Sequence, residues 1–401
     1  MKGAEKMNNL HHPKETVVIT GGGGYFGHRL GCALQAQGFN VILFDIQNSE
    51  QEEPNGIQFV QGDVRSLSNL EDTFAGASCV FHTASYGMSG REQLQTQKIQ
   101  DVNVKGTENV IQACINQNVP RLVYTSTFNV VFSRQVIVNG DESLPYLSED
   151  AYTDNYSRTK AKAEAMVLKM NNQELKNKSG NLKTCSLRAA GIYGPGEKRH
   201  FPRILAVLEK GMFLFTYGDK KPLVQFVHVD NLVAAHILAA EALKSEKGCI
   251  AAGQPYFISD GEPVDNFDFF KPFIVGLGYN FPKLRLPLNL VYFLAFLTEW
   301  IHFLISPIYN FQPMLTRAEV CKTAVTHYFS IEKAKRELGY EPEKFSMEEV
   351  TKWYKNRGYG KQGTKIKRKH FIWSIILMIM VSVVLLSWIP KVVGHLMSYG
   401  N

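Results

Sequence analysis

Thr16-Val-Val-Ile-Thr-Gly21-Gly-Gly-Gly24-Tyr-Phe-Gly27 is the stretch of this 401-residue chain that decides its fold. Residues 16–20 form a short β-branched run, the composition of a buried strand. Four glycines and the step Tyr25-Phe26-Gly27 follow, and His28 to Gln37 then reads as helix. Strand, glycine turn and helix N-terminus in that order make a pyrophosphate cradle. Backbone N–H groups and the helix dipole face the anion, and missing side chains let it approach. Val41-Ile-Leu-Phe-Asp45 reads as the next strand and ends in an acid 24 residues after Gly21. A carboxylate there accepts hydrogen bonds from ribose hydroxyls and repels a 2′-phosphate. Ile46, Gln47 and Asn48 bring no cation, so the expected cofactor is NAD rather than NADP.

Four tyrosines are followed four residues later by a lysine: Tyr156/Lys160, Tyr217/Lys221, Tyr279/Lys283 and Tyr340/Lys344. On a helix, positions i and i+4 lie one turn apart on the same face. Beside a nicotinamide such a pair makes a proton-transfer site. The ammonium stabilises the phenolate and draws a pKa of about 10 toward neutrality. Gly218 and Pro222 turn the second pair, and Pro282 and Pro342 interrupt the third and fourth. Only Tyr156 opens a run of good helix formers, through Lys160 to Met170.

Further motifs arrive in order: Asp63-Val64, Val80-Phe-His-Thr-Ala-Ser85, Asn103, Leu122-Val-Tyr-Thr-Ser-Thr127, Leu187-Arg-Ala-Ala-Gly-Ile-Tyr-Gly-Pro-Gly196, Phe226-Val-His-Val-Asp-Asn231 and Tyr256-Phe-Ile-Ser-Asp260. With the glycine turn and Tyr156/Lys160, this series resembles the extended short-chain dehydrogenase/reductases, and the last two motifs resemble their 3β-hydroxysteroid dehydrogenase/isomerase branch. The resemblance covers nearly the whole chain. It implies that Tyr156 accepts a proton during alcohol oxidation, while Lys160 lowers its pKa and binds the nicotinamide ribose. Thr127 stands where the family usually carries serine, with Ser126 as the alternative hydroxyl. Gly21, Gly24, Tyr25, Phe26, Gly27, Asp45, Asp63, Val64, Thr83, Ala84, Tyr156 and Lys160 are the implied NAD contacts, with adenine at Asp63-Val64. Ala189 departs from the family's usual proline.

The expected fold class is α/β: a doubly wound parallel sheet (Rossmann) with a smaller C-terminal substrate lobe and a C-terminal transmembrane helix. The reading divides the chain into a tail (1–15), the NAD-binding domain (16–190) and a substrate lobe with interleaved sheet elements (191–360). A basic juxtamembrane segment (361–370), a transmembrane helix (371–389) and a tail (390–401) follow. Phe371 to Ile389 is uncharged, long enough for a bilayer, and carries Trp373 and Trp388 near its ends. Lys361, Lys365, Lys367, Arg368 and Lys369 precede it and supply five of the net +7 charges. That basic run belongs to the cytosolic membrane surface, not to nucleic acid. A second apolar stretch, 286–308, holds Asn289, Glu299 and His302, costly at a bilayer centre, and is expected to lie on the surface beside the substrate entrance.

Six scattered cysteines lack metal-ligand spacing, and the polar N-terminus carries no signal-like run, so reduced thiols in the cytosol and no metal are expected. Asn155-Tyr156-Ser157 is a glycosylation acceptor whose glycan would obstruct Tyr156, which also places the catalytic domain in the cytosol. The expected location is a membrane, that of the endoplasmic reticulum, and the expected assembly a homodimer. The resemblance and the apolar tail together imply a lipophilic alcohol, a 3β-hydroxysteroid or sterol first. Tyr86, Met88, Phe128, Tyr193, Phe201 and His228 are candidate lining residues, with His228 read as a structural hydrogen-bonding group. The competing readings are a sugar-nucleotide epimerase or dehydratase, a carbonyl reductase of small ketones, and a catalytically silent NAD-binding scaffold.

Overall fold

The computed structural model describes residues 15–48, 56–88, 92–93, 95–218, 222–305 and 315–361. The basic segment after Lys361, the apolar stretch 371–389 and the tail 390–401 lie outside the described residues.

Seven strands form one sheet: β1 (Thr16–Thr20), β2 (Asn40–Asp45), β3 (Ile57–Gln61), β4 (Cys79–His82), β5 (Arg121–Thr127), β6 (Lys183–Ala189) and β7 (Gln254–Ile258). Their spatial order is β7-β6-β5-β4-β1-β2-β3, and every pairing is parallel. The winding reverses between β1 and β4, which opens a crevice at their carboxyl ends, the usual ligand position in such sheets. Strand alternation feeds two cores. Val17, Ile19, Leu43 and Phe81 join one cluster, while Val18, Phe44, Val80 and Leu122 join the other. Burial on both faces is why these strands read as continuous apolar runs.

Helices α1 (Tyr25–Ala36), α2 (Leu67–Phe74), α3 (Gly106–Asn116) and α4 (Asn155–Lys169) alternate with the first strands. Thr96–Gln100 runs into α3 through a π-helical turn at Asp101–Lys105. Asp154 fixes the start of α4 by accepting the Ser157 N–H at 2.8 Å.

Beyond β6 come α5 (His200–Glu209), α6 (Val229–Ala242), α7 (Asn266–Gly276), α8 (Leu288–Ile305), α9 (Arg317–Ala324), α10 (Glu332–Leu338) and α11 (Met347–Lys355). Helix α6, strand β7 and Tyr340 return to the sheet's core. The rest builds two smaller cores, one around Phe201, Phe270, Phe273 and Tyr354 and one around Tyr217, Phe267, Val291 and Ala295. The apolar stretch 286–308 gives α8, which buries Val291 and Ala295 but exposes Leu290, Phe293, Leu294, Phe296, Trp300 and Phe303, the last at 74%. Glu299 is paired rather than buried alone, accepting Arg317 Nε at 2.7 Å. No helix among the described residues is long and apolar enough to cross a membrane.

Candidate active site

The glycine turn has a shape that only glycine supports. Gly21 has φ +76°, and a Cβ there would lie 2.7 Å from the Ala84 nitrogen, so the turn rests directly on Thr83-Ala84 beyond β4. A Cβ on Gly27 would collide with the Gly21 carbonyl. No side chain caps α1, so its first-turn N–H groups, at Tyr25, Phe26 and Gly27, face the crevice as an anion site. Asp45 leans on this turn, its Oδ2 accepting the Gly23 N–H at 3.1 Å. Burial raises the Asp45 pKa, while the backbone N–H groups of Gln47, Ile46 and Gly23 oppose the rise. Val64 is buried nearby. The Asp63 carboxylate is engaged by Arg65 Nε at 3.0 Å to both oxygens, which holds its pKa down. These residues fit a dinucleotide.

Across the crevice, α4 presents Tyr156 and Lys160 on one face, 5% and 1% exposed. Of the other three pairs, Tyr217 sits in a two-residue strand, with Lys221 outside the described residues, and the remaining two lie in irregular backbone. Lys160 Nζ donates to the Thr125 carbonyl at 2.6 Å and stands 4.0 Å over the Tyr124 ring. Burial lowers its pKa from 10.5 to about 7, with Glu164 opposing the fall and Arg199 adding to it.

One expectation is overturned here. The Tyr156 pKa is raised rather than drawn toward neutrality, because desolvation of the phenolate outweighs every charge nearby. The cation acting most strongly on the phenol is Arg199, and a contact with the Ser85 hydroxyl also holds it down. Lys160 is turned to the Thr125 carbonyl instead.

Thr127 ends β5, 8% exposed, its hydroxyl accepting Asn129 Nδ2 at 3.1 Å and the Asn129 N–H at 3.3 Å. Those bonds leave the Thr127 proton to donate elsewhere. Ser126 points to the opposite side of the strand, where its buried hydroxyl has no hydrogen-bond partner among the described residues. Asn103, in the π-helical turn, accepts the Tyr86 N–H at 2.8 Å and donates to the Tyr86 carbonyl and to Thr159 Oγ1. It thereby ties the crevice loop to α4.

Several supports escaped the sequence reading. Glu164, one further turn along the Tyr156/Lys160 face, is fully buried and accepts Arg188 Nη2, Arg188 Nε, Ser186 Oγ and Tyr146 Oη at 2.7–2.9 Å. Its spacing to Lys160, i to i+4, was the available signal. Asp154 accepts Lys322 Nζ of α9 at 2.7 Å, so the second lobe grips the N-cap of the catalytic helix. Burial keeps His82 neutral, its pKa lowered to about 3, between the Thr20 and Thr107 hydroxyls at 2.6 and 2.9 Å.

Four candidate lining residues belong to the core instead. Phe201 packs on Phe270 and Phe273, and Phe128 on His327 and Phe329. Tyr193 donates to Asp260 at 2.8 Å, and His228 caps α6 and stacks on Phe345. Tyr86 and Met88 remain half-buried at the crevice. All six cysteines are free, and the described residues hold no cluster of metal-ligating side chains.

Residues 18–288 match the 3-beta hydroxysteroid dehydrogenase/isomerase family. The chain belongs to that family. It is therefore an NAD-dependent oxidoreductase of the short-chain dehydrogenase/reductase type. Short-chain dehydrogenase/reductase family 42E member 1 of Xenopus laevis is 73% identical over 385 residues, spanning 96% of this chain and all of the relative. The human protein of the same name is 58% identical over 96% of this chain and 98% of its own. A 3beta-hydroxysteroid-dehydrogenase/decarboxylase of Arabidopsis thaliana is 37% identical over 81% of this chain and 75% of its own. Among solved structures, gox2253 superposes with a TM-score of 0.67 at 22% identity, covering 87% of this chain and 100% of that one. A dTDP-glucose 4,6-dehydratase of Streptomyces venezuelae with NAD bound gives 0.64 at 21%, covering 85% and 98%. These two likenesses concern the fold.

Proposed function

We propose that this family member oxidises the CH–OH group of a lipophilic alcohol, a 3β-hydroxysteroid or sterol, at the cytosolic surface of the endoplasmic reticulum membrane. The observation that carries it is the pairing of Tyr156 and Lys160 on one buried face of α4, across the crevice from the glycine turn. The bound nicotinamide supplies the hydride acceptor. The N–H groups opening α1 hold the pyrophosphate and Asp45 the ribose. Tyr156 removes the alcohol proton, and Thr127 donates its free hydroxyl proton to the substrate oxygen. Arg199 is the cation that acts most strongly in favour of the phenolate, and Lys160, one turn along the same face, would meet the nicotinamide ribose.

The substrate class rests on relatives and on α8. The Arabidopsis relative bears a 3β-hydroxysteroid dehydrogenase name. Six exposed apolar residues on α8 offer a face for lipid, consistent with the apolar stretch 371–389 acting as an anchor. Against a sugar-nucleotide enzyme, Arg203, Arg285 and Arg317 of the second lobe are already committed to Glu319, Asp265 and Glu299. The intact Tyr156/Lys160 pair argues against a silent scaffold.

NADH production by the detergent-solubilised full chain, across steroids, sterols, small ketones run in reverse and UDP-sugars, tests the reading. Tyr156→Phe should lose 10²–10⁴-fold in kcat while keeping NADH affinity. Turnover of UDP-sugars alone would sink the substrate class, and a Phe variant retaining a few per cent of kcat would sink the base.

A further inference from the structure

The last described helix, α11, reaches the glycine cradle through one loop. Residues 194–197 lie between α11 on one side and the first residue of α1 on the other. On the cradle side, the Tyr25 hydroxyl donates to the Pro195 carbonyl at 3.2 Å, and a Cβ on Gly194 would lie 2.8 Å from that hydroxyl oxygen. On the far side, the buried Tyr354 hydroxyl donates to the Glu197 carbonyl at 2.8 Å. Gly196 has φ +84°, and a Cβ there would lie 3.2 Å from Trp353 Cζ2, so the indole rests on the loop backbone itself. The Glu197 carboxylate, 4% exposed, accepts the N–H groups of Arg199, His200 and Phe201 at 2.6, 2.8 and 3.1 Å and fixes the start of α5. Helix α11 is itself held. The Tyr354 ring meets Phe273 of α7 and Phe201 of α5 at centroid distances of 5.3 and 5.8 Å. Beyond Gly358 the chain turns back, and the Lys361 N–H donates to the Leu277 carbonyl at 2.9 Å.

We infer that Tyr354 and Trp353 are positioning residues for the cofactor: α11 holds the loop 194–197 against Tyr25, and Tyr25 in turn holds the N–H groups that open α1 in place for the pyrophosphate. Neither α11 residue is assigned a contact with the dinucleotide, and both act through the loop. Tyr25 is the lever because its own N–H belongs to the anion site while its hydroxyl reaches out to Pro195. With the loop fixed beforehand, NAD meets a finished donor array. With the loop released, binding must also order it, and that cost is subtracted from affinity. The nucleotide site is thus completed by the end of the second lobe, more than three hundred residues after the glycine turn. The inference concerns NAD binding and stands apart from the identity of the alcohol.

The test reads the NADH dissociation constant by fluorescence on the detergent-solubilised full chain, well below the unfolding midpoint. Tyr354→Phe deletes one hydroxyl, keeps the ring contacts, and should raise the constant about three- to tenfold. Tyr217→Phe removes a hydroxyl bond of the same length, to Thr323 Oγ1 at 2.8 Å in the neighbouring core, and should leave the constant within twofold. That control separates positioning from a general loss of packing. Tyr25→Phe should weaken binding as well. Combined with Tyr354→Phe it should fall short of the product of the two single effects, because either loss already frees the loop. An unchanged constant in Tyr354→Phe, an equal rise in Tyr217→Phe, or a double variant that reaches the full product would each overturn the positioning role. If Tyr354→Phe does not fold, Trp353→Leu carries the same expectation and the same refutation. A parent that binds no NADH would overturn the cradle and this inference together, whereas silence toward every sterol touches the substrate class alone.

Discussion

Replacing Lys160 by methionine should make the protein more resistant to unfolding, and by an amount that depends on pH in a defined direction. Lys160 is 1% exposed, and burial lowers its pKa from 10.5 to about 7. Below pH 7 both folded and unfolded chains hold the proton, and the folded state carries the whole cost of a desolvated ammonium. Between pH 7 and 10.5 the unfolded chain still binds the proton while the folded chain has released it, so parent stability rises relative to the variant. Each pH step in that window is worth about 1.4 kcal/mol, and the full window roughly 4–5 kcal/mol. The constant offset between the two proteins depends on the lost Thr125 bond and the Tyr124 contact, but the slope does not. Thermal or denaturant unfolding of both proteins without cofactor, at half-unit steps from pH 6 to 9.5, measures it. A stability difference that stays flat, or widens as pH rises, would show that Lys160 keeps its proton throughout and that the buried-amine reasoning is wrong.

Three other outcomes follow from the same geometry. Arg188→Leu strands the fully buried Glu164 carboxylate and should cost about 3–5 kcal/mol, visible as a fall in unfolding midpoint; no change would mean that Glu164 is protonated or hydrated. Lys322→Met removes the 2.7 Å grip on Asp154 and should lower kcat severalfold with NADH affinity intact, since the N-cap of the catalytic helix loosens; an equal loss of NADH binding would point to general misfolding instead. Converting Phe293, Trp300 and Phe303 together to serine should raise KM tenfold or more for a sterol presented in vesicles but not for a soluble steroid. Equal effects on both would refute a lipid-facing α8.

Much of the nucleotide-binding half was legible because its signals are local. The β-branched run at 16–20, the glycines, Asp45 and the Tyr156/Lys160 step each depend on neighbours within a few residues. What could not be read depends on distance. Lys322 reaches Asp154 across 168 positions, and nothing near either residue announces it. Glu164 was half-visible through its spacing on α4, yet its role came only with Arg188, which β6 carries in. Aromatics misled for the same reason: Phe128, Tyr193 and Phe201 look alike in sequence whether they line a cleft or fill a core. The Tyr156 acidity was misjudged because an ammonium one turn away is a sequence fact, whereas desolvation by the whole surroundings is not.

The late arrival of β7 has a consequence for how this protein is made. Six strands are complete by residue 189, but the edge of β6 stays uncovered until residues 254–258 are synthesised. A nascent chain therefore carries an open, apolar strand edge while some sixty-five further residues emerge. A premature stop anywhere between the two strands would leave that edge permanently unpaired. Such truncations should be recovered as aggregates rather than as smaller, nucleotide-binding domains, although every residue of the glycine cradle and the catalytic helix would already be present.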